Sequence, residues 1–298
     1  MKIWVTGASG FTGQHLLQQL CETDDTEVVG VYRTAPVAPI DGVQIELIDL
    51  ADANLLRERL EASSPDQIFH LAGQMPPATS SAMWDAFVRN TYHLLNAVRS
   101  LSAQKAVKVL VAGSAAEYLP NSTGVFSEDA AIGGVSDYGM SKSAQTMLCL
   151  NAAEQFGIDL VIARGFNFLG PGMSPNFVVG QICAQLAKGA EELVLGNLQS
   201  ERDFLDIRDV ASAYRAIMRS DAAGRVVNVC SGKGTTIQEM VDIACEIYQI
   251  QPRVQSKARN HGFDIDRAIG DSTKLIDKLL WQPAISLHQS ISDVKKHG

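Results

Sequence analysis

The residues of this chain whose types and spacing point most directly to chemistry are Tyr138 and Lys142, in the segment Tyr138-Gly-Met-Ser-Lys142. The segment begins a run with helical periodicity, and a spacing of four places both side chains on one face of a helix. A nearby ammonium favours the phenolate and lowers the pKa of a tyrosine from about 10. The pair therefore predicts a general acid or base at Tyr138.

A serine is placed to complete this set. Ser114 follows Gly113 at the end of an apolar run that has the character of a buried strand. We expect its hydroxyl to hydrogen-bond the oxygen that exchanges a proton with Tyr138. Because a Tyr-x-x-x-Lys pattern alone is common by chance, its meaning depends on the motifs that accompany it.

A glycine-rich turn near the start of the chain is one such motif. The segment Gly7-Ala-Ser-Gly10-Phe11-Thr12-Gly13 directly follows a predicted strand and opens a predicted helix. Glycine permits a tight turn and a close approach of the backbone to a pyrophosphate, and the start of the helix presents free N–H groups to the phosphates. In this context the turn predicts a dinucleotide-binding site.

Residues at the ends of the following strands bear on which dinucleotide is bound. An acidic residue after the second strand binds the ribose 2′-hydroxyl of NAD, whereas an arginine accommodates a 2′-phosphate. Arg33 stands there, so NADP(H) is favoured over NAD(H), although a solvated surface arginine is the alternative. Asp49 and Leu50, after the third strand, are predicted to meet the adenine. The other predicted cofactor contacts are Leu71, Ala72 and Gly73, at the end of the fourth strand and directly after it, with Tyr138 and Lys142 at the nicotinamide ribose.

The elements that must position these residues alternate between short apolar runs and amphipathic stretches, as in βαβ units. We predict strands at Lys2–Thr6, Glu27–Tyr32, Val43–Ile48, Gln67–Leu71, Val107–Ala112, Leu160–Arg164 and Val226–Val229. We predict helices at Thr12–Leu20, Leu55–Leu60, Trp84–Leu101, Tyr138–Phe156, Phe177–Lys188, Val210–Met218 and Ile237–Tyr248. The predicted fold class is α/β, a Rossmann-type doubly wound parallel sheet with a smaller, interleaved C-terminal substrate domain.

The division into domains follows from a change of character after Arg164. Gly165–Pro175 is rich in glycine and proline and is predicted to be a loop that leaves the sheet. We predict a dinucleotide-binding domain of residues 1–166 plus about 204–229. The substrate domain would comprise about 167–203 plus 230–298.

Composition limits the classes of partner. The 298 residues carry a net charge of -8, which argues against nucleic acid, because its phosphates require a basic surface. The apolar runs fall well short of the ~20 residues that span a bilayer, so we expect no membrane segment. Five scattered cysteines have no metal-ligand spacing, and we expect no metal, buried free thiols and a cytoplasmic location.

These motifs together resemble the extended short-chain dehydrogenase/reductase family over essentially the whole chain. Longer stretches are more specific: the segment from Arg164 to Val179 resembles the branch that acts on sugar nucleotides. The segments Gly196–Val210 and Asn228–Gly232 are similar to GDP-6-deoxy-4-keto-D-mannose reductases, with GDP-mannose dehydratases as close relatives.

The resemblance implies a nucleotide-sugar substrate, with GDP favoured as the nucleotide. Asn167 would touch the sugar or its phosphate, and Arg202 the diphosphate, although Arg202 could instead pair with Asp203 or Asp206. Relatives use the helices Trp84–Leu101 and Tyr138–Phe156 to form a dimer, so we expect a homodimer. The full set of expected substrate contacts is Gln74, Ser114, Asn167, Phe177, Val178, Asn197, Arg202 and Arg259.

The residues after Ser114 separate the reactions of this family. Related dehydratases carry an acidic residue two positions after the catalytic serine or threonine, and epimerase-reductases carry a cysteine there. Here the position is Ala116, and Glu117 is out of phase by one residue. We therefore expect reduction of the C4 ketone of a 4-keto-6-deoxyhexose, giving GDP-D-rhamnose or its C4 epimer. The alternatives are a C4 epimerase or dehydratase with bound NAD, a reductase acting on a dTDP- or UDP-linked keto-sugar, and a non-catalytic NAD(P)-sensing protein.

The chain also departs from the family pattern. Phe87 stands where an asparagine is usual, and Asn90 where a glycine is usual. We expect these changes to alter the packing or the water relay beneath the active site. Near the C-terminus, His261-Gly-Phe-Asp264 replaces the Arg-Pro-x-Glu by which relatives hold the diphosphate and ribose.

Overall fold

The computed structural model describes residues 1–22, 25–75, 77–221, 224–256 and 265–297. In chain order the described strands are β1 (Lys2–Thr6), β2 (Glu27–Tyr32), β3 (Val43–Leu47), β4 (Gln67–His70), β5 (Lys108–Ser114), β6 (Val125–Phe126), β7 (Asp159–Gly165), β8 (Asn167–Leu169), β9 (Glu192–Leu195), β10 (Glu201–Asp206), β11 (Val226–Val229), β12 (Gly234–Thr236), β13 (Arg253–Ser256) and β14 (Arg267–Gly270). The α-helices are α1 (Phe11–Cys21), α2 (Ala53–Ser63), α3 (Ser80–Trp84), α4 (Asn90–Ser102), α5 (Asp137–Phe156), α6 (Val178–Ala187), α7 (Ile207–Arg219), α8 (Ile237–Tyr248) and α9 (Leu287–His297).

Seven of these strands form the central sheet, in the order β11-β7-β5-β4-β1-β2-β3. The pairs β1–β2, β2–β3, β1–β4 and β4–β5 are parallel. Since the chain builds outward from β1 to β3 and then crosses to β4, the strand order reverses between β1 and β4. Ligands of such sheets bind beyond the carboxyl ends of the strands at this reversal. The predicted doubly wound Rossmann-type fold is confirmed.

The central strands form because they are near-continuous apolar runs, which suit a parallel sheet covered on both faces. Ile3, Trp4 and Val5 of β1 are buried. Trp4 belongs to a hydrophobic core to which helices α2, α4 and α5 also contribute side chains. Ser136 is the N-cap residue of α5, and its side chain accepts a hydrogen bond from the backbone of Gly139. This N-cap sets the start of the helix that carries the predicted Tyr-Lys pair.

The chain divides into two compact units. The first comprises Met1–Leu119, Ala131–Arg164 and Ala211–Val227, and contains almost all of the central sheet. The second comprises Pro120–Ala130, Gly165–Val210 and Asn228–Gly298. These bounds differ from the predicted ones chiefly at 120–130 and 204–210, and by two residues each at 165–166 and 228–229, all of which belong to the second unit. The reason is strand pairing: β6 pairs with β14, and β10 pairs with β8, β12 and β14.

Several elements differ from the sequence-based predictions. The helix predicted over Trp84–Leu101 is interrupted by a π-helical turn at Asp85–Arg89. The predicted loop Gly165–Pro175 contains the short strand β8. Helix α9 and strand β10 were not predicted. All five cysteines are free, as predicted, but Cys21 is half-buried rather than buried.

Among the described residues, no helix has the length and apolar character needed to cross a membrane. Over the same part of the chain, no cluster of three or more His, Cys, Asp or Glu side chains is arranged to hold a metal ion.

Candidate active site

The glycine-rich turn after β1 lies against the loop after β4, where the strand order reverses. Gly7 has a φ of +71°, and a Cβ there would lie 2.7 Å from the backbone of Leu71 and of Ala72. A Cβ on Gly13 would lie 2.3 Å from the carbonyl oxygen of Gly7. Both positions therefore require glycine, because real Cβ atoms do not approach other atoms so closely.

The start of α1 is suited to an anion. Gly10 occupies the N-cap position with no side-chain cap hydrogen bond, and the first turn contains no acidic residue. The N–H groups of the first turn of a helix have no partner within the helix and carry its positive dipole end. Together with the closely packed glycines, this arrangement fits the pyrophosphate of a dinucleotide.

Of the residues predicted to meet the nucleoside, two are exposed and one is buried. Arg33 is exposed, directly after β2. Asp49 is also exposed, and its Oδ1 accepts a hydrogen bond of 3.0 Å from the backbone of Ala51. The side chain of Leu50, in contrast, packs into the core of the first unit. Gln74, predicted to contact substrate, is half-buried in the loop after β4, which begins with Leu71, Ala72 and Gly73.

Tyr138 and Ser114 come together at the end of β5. Tyr138 lies in the first turn of α5 and is half-buried. That burial raises the pKa of Tyr138 to about 12, while a hydrogen bond with the Ser114 side chain acts in the lowering direction. The phenol is therefore neutral at neutral pH and can donate a proton. The sequence predicted a lowered pKa, and this was wrong because burial, together with the charge of Glu117, raises the pKa by more than the hydrogen bond with Ser114 lowers it.

Lys142 lies one helical turn further along α5 and is buried. Its Nζ donates hydrogen bonds of 2.6 Å to the carbonyl of Ala112 and 3.0 Å to Oε1 of Gln145. The same ammonium lies 4.0 Å from the centre of the Phe87 ring. Burial lowers the pKa of Lys142 to about 8, although the charge of Glu117 favours the protonated form. Lys142 is thus charged at neutral pH and close to its titration range.

Glu117 is buried beneath Ser114. One oxygen accepts a hydrogen bond of 2.7 Å from the backbone of Ser114. The other accepts from the hydroxyl of Thr146 at 2.7 Å and from Nε of Arg164 at 2.9 Å. These contacts occupy the carboxylate, so Glu117 supports the turn after β5 rather than facing a reacting atom.

Sequence reasoning missed two residues that contact the catalytic set. Gln145 lies three positions after Lys142, and an i,i+3 spacing on one helix is the signal that could have identified it. Phe87 was noted only as a departure from the family. In the structure the ring of Phe87 lies edge-on to that of Tyr138, with 5.6 Å between their centres. Its place in a π-helical turn fits the frequent occurrence of such turns at functional sites.

The predicted substrate residues from Asn167 onward belong to the second unit. Nδ2 of Asn167 donates a hydrogen bond of 3.0 Å to the carbonyl of Asp203. Arg202 donates to the carbonyls of Glu201 and Asp266, at 3.0 and 3.3 Å. Nδ2 of Asn197 reaches Oδ1 of Asp266 at 3.5 Å. Arg202 and Asn197 therefore converge on the same short segment.

The remaining predicted contacts of this unit lie at the start of α6 or outside the described part of the chain. Phe177 is the exposed N-cap residue of α6, and Val178 packs against the core of the second unit. The carboxylates suggested as partners of Arg202 are engaged by other groups: Asp206 pairs with Arg208 at 2.8 Å, and Asp203 accepts from Ser231 at 2.7 Å. Arg259 and the segment His261–Asp264 lie outside the described residues.

A Rossmann-type sheet, a glycine-rich turn without a capping side chain and a Ser-Tyr-Lys set define a short-chain dehydrogenase/reductase. Residues 4–294 match the model of the family described as GDP-mannose 4,6 dehydratase. The chain belongs to this family. The recognition of the extended short-chain dehydrogenase/reductase family from sequence is thereby confirmed, as is the class of NAD(P)-dependent oxidoreductase.

Individual relatives agree with this assignment. The chain is 29% identical over 300 residues to GDP-6-deoxy-D-mannose reductase of Pseudomonas aeruginosa, covering 97% of this chain and 94% of the relative. It is 30% identical over 282 residues to GDP-6-deoxy-D-talose 4-dehydrogenase of Aggregatibacter actinomycetemcomitans, covering 94% and 91%. The crystal structure of RMD from Pseudomonas aeruginosa complexed with NADPH superposes with a TM-score of 0.83 at 27% identity, covering 99% of this chain and 98% of that one.

Proposed function

We propose that this enzyme reduces the C4 ketone of a nucleotide-linked 4-keto-6-deoxyhexose. The preferred substrate is GDP-4-keto-6-deoxy-D-mannose, and the product is GDP-D-rhamnose or its C4 epimer. The main support for this proposal is Tyr138, whose phenol is neutral at neutral pH and hydrogen-bonded with Ser114. Tyr138 also lies one helical turn from the ammonium of Lys142. A proton donor and an oxygen-orienting hydroxyl are what ketone reduction requires of the protein.

Ser114, Tyr138 and Lys142 have separate roles in the proposed reduction. When bound, NAD(P)H supplies the hydride. Ser114 orients the ketone oxygen, and Tyr138 donates its proton to that oxygen as negative charge develops there. The positive charge of Lys142 stabilises the resulting phenolate and holds the nicotinamide ribose.

Ala116 and Glu117 support reduction over dehydration. The side chain of Ala116 has no group that can exchange a proton. The Glu117 carboxylate is held by Arg164 and by the backbone of Ser114. Proton removal from the hexose C5 would need a free carboxylate near the sugar, and these two positions do not provide one.

For the cofactor, NADP(H) is proposed over NAD(H). Arg33 is exposed directly after β2, where a guanidinium can pair with a 2′-phosphate. The relative from Pseudomonas aeruginosa with NADPH bound supports this choice. The 2′-phosphate would be held by a charge-assisted hydrogen bond.

For the nucleotide, a GDP-linked sugar is proposed from the two relatives whose names specify GDP-sugars. Arg202 would pair with the diphosphate, because its planar guanidinium suits phosphate oxygens. Asn197 and Asn167 would contribute neutral hydrogen bonds. Gln74, Phe177, Val178 and Arg259 complete the proposed substrate contacts.

A homodimer in the cytoplasm is proposed as the working form. Helices α4 and α5 expose apolar side chains, with Tyr92 54% and Met147 64% exposed, and apolar surface of this kind is typical of subunit interfaces. Five free cysteines fit a reducing compartment. Sedimentation velocity with the Met147→Lys variant tests the interface, because a buried lysine there would release monomers.

A panel of substrates tests the proposed function. The enzyme is incubated with NADPH and the GDP-, dTDP- and UDP-linked 4-keto-6-deoxyhexoses, and each product is identified by NMR. We expect consumption of one NADPH for each GDP-6-deoxyhexose formed. The corresponding nucleotide-linked 6-deoxyhexoses, which carry a C4 hydroxyl, are incubated in parallel: interconversion of their C4 epimers without net NADPH consumption, by protein that retains NAD through purification, would favour the epimerase alternative.

A further inference from the structure

A chain of buried hydrogen bonds leads from Lys142 into the core of the first unit. Nζ of Lys142 donates to Oε1 of Gln145 at 3.0 Å, and Nε2 of Gln145 donates to Oγ1 of Thr91 at 2.8 Å. Thr91 shares a hydrogen bond of 3.0 Å with Nε2 of His70. The path therefore links α5, α4 and β4 through side chains alone.

The far end of this path reaches the loop that faces the glycine-rich turn. Nδ1 of His70 shares a hydrogen bond of 2.8 Å with the hydroxyl of Thr6. That hydroxyl also accepts a hydrogen bond of 3.3 Å from the backbone N–H of Ala72. The five side chains that form the path are buried, none more than 5% exposed. Removing any partner would leave a buried polar group unsatisfied, which is costly.

The Phe87 ring contacts the ammonium of Lys142 but cannot replace Gln145 as its hydrogen-bond acceptor. The Phe87 ring is buried, lies 4.0 Å from Nζ of Lys142, and would clash with any Cβ on Gly73. A phenyl face attracts a cation but accepts no conventional hydrogen bond. The hydrogen-bond acceptors of the ammonium are instead the carbonyl of Ala112 and Oε1 of Gln145.

We propose that Gln145 is a positioning residue: its amide holds the ammonium of Lys142 in place and connects it through Thr91, His70 and Thr6 to the loop at Ala72. The amide can do this because its two ends are chemically distinct. The carbonyl accepts from Lys142, and the NH2 group donates to Thr91. A leucine would provide neither contact, and a glutamate would provide a charged acceptor without the donor.

The charged and titratable groups around Lys142 come from several elements. Tyr138 and Cys149 belong to α5, Glu117 lies in the turn after β5, and His70 lies on β4. Burial lowers the pKa of His70 to about 3, so the imidazole stays neutral and relays hydrogen bonds without adding charge. A substitution at Gln145 is therefore expected to shift the pKa of Lys142.

The test measures the pKa of Lys142 in cofactor-free protein, by following its 13Cε NMR signal in lysine-labelled samples and assigning it with Lys142→Arg. We expect Gln145→Glu to raise this pKa by about one unit or more, because an opposite charge favours the ammonium. Gln145→Leu should lower it. The control Gln155→Leu, at an exposed position of the same helix, should leave it unchanged. Equal pKa values in the Glu and Leu variants would overturn the proposal.

The catalytic consequence rests on the proposed function and is measured separately. We expect Gln145→Leu to lower kcat for ketone reduction at least tenfold with little change in the KM for NADPH, and Gln155→Leu to leave both unchanged. An unchanged kcat in a variant whose Lys142 pKa has moved would overturn the positioning role. If wild type reduces no keto-sugar while the pKa shifts appear as expected, the proposed function fails and the contact of Gln145 with Lys142 stands. Should Gln145→Leu fail to fold, Gln145→Glu decides the pKa test.

Discussion

The backbone nitrogen of Ser114 donates a 2.7 Å hydrogen bond to Oε1 of Glu117, so the proposed oxygen-orienting residue is supported by a buried carboxylate. The same carboxylate forms an ion pair with Arg164, whose side chain is only 3% exposed. A buried ion pair adds little net stability, but breaking it leaves an uncompensated charge. Glu117 therefore stabilises the turn after β5. This structural role explains why the chain carries an acidic residue one position later than related dehydratases do.

Replacing this carboxylate should destabilise the fold. Glu117→Gln leaves the guanidinium of Arg164 buried without a counter-charge, which costs about 3 kcal/mol or more in the free energy of unfolding. Urea denaturation at pH 7 measures the loss. The matched control is Asp85→Asn, which breaks the exposed pair of Asp85 with Arg89 and should cost less than about 1 kcal/mol. Equal losses in the two variants would show that the buried position of the Glu117–Arg164 pair does not add to the cost of breaking it.

The first unit was largely predictable from the sequence because its determinants are local. The strands at Lys2–Thr6 and Glu27–Tyr32 are continuous apolar runs, and their observed bounds match the predicted ones. The second unit was harder. Strand β10, Glu201–Asp206, contains four charged residues and resembles a loop in sequence, but tertiary contacts bury Asp203 and Asp206.

The active site shows the same division between local and long-range determinants. The Tyr138–Lys142 pair was visible because four residues make one helical turn. The hydrogen-bonded path from Lys142 was not visible, since Thr6 and His70 are 64 residues apart in sequence. The raised pKa of Tyr138 also depends on burial, which no local spacing reveals.

The pH dependence of reduction should follow Lys142. Its pKa is lowered to about 8 by burial, so the ammonium that supports Tyr138 is present below that pH and is lost above it. Tyr138 stays protonated throughout, because its pKa is raised to about 12. We expect kcat/KM for NADPH, which reports the free enzyme, to be constant near pH 7 and to fall with rising pH above about 8. A profile that stays flat up to about pH 10 would contradict the assignment.

His70 should make the fold sensitive to acid. Its pKa is lowered from 6.5 to about 3 by burial, so between these values the unfolded chain binds a proton that the folded chain does not. The contribution of neutral His70 to the free energy of unfolding is therefore fully present above about pH 6.5. It falls as the pH falls below that value, by at most ~1.4 kcal/mol per pH unit. Urea unfolding at pH 7 and pH 5 should show a loss of about 2 kcal/mol that is absent in His70→Gln. The control His288→Gln, at an exposed position, should keep the wild-type slope, and an unchanged slope in His70→Gln would refute the prediction.

Arg33 should set the cofactor preference. Arg33→Ala removes the guanidinium proposed to pair with the 2′-phosphate, and a lost charge-assisted hydrogen bond costs about 1.5–3 kcal/mol. We expect Kd for NADPH to rise roughly tenfold or more, with Kd for NADH almost unchanged. Isothermal titration calorimetry measures both. A parallel loss for the two cofactors would show that Arg33 does not read the phosphate.

The role of Tyr138 in ketone reduction is tested by the rate of NADPH oxidation with GDP-4-keto-6-deoxy-D-mannose, generated in situ. The rate is compared between wild type and the Tyr138→Phe variant. The substitution removes only the hydroxyl that is hydrogen-bonded with Ser114. We predict robust oxidation by wild type and a loss of kcat of at least a hundredfold in the variant, since general acid catalysis contributes about 10²–10⁴-fold. Binding of NADPH should be retained. Equal rates of NADPH oxidation in both proteins would contradict the role of Tyr138. No oxidation by folded wild type that binds NADPH would contradict the proposed substrate.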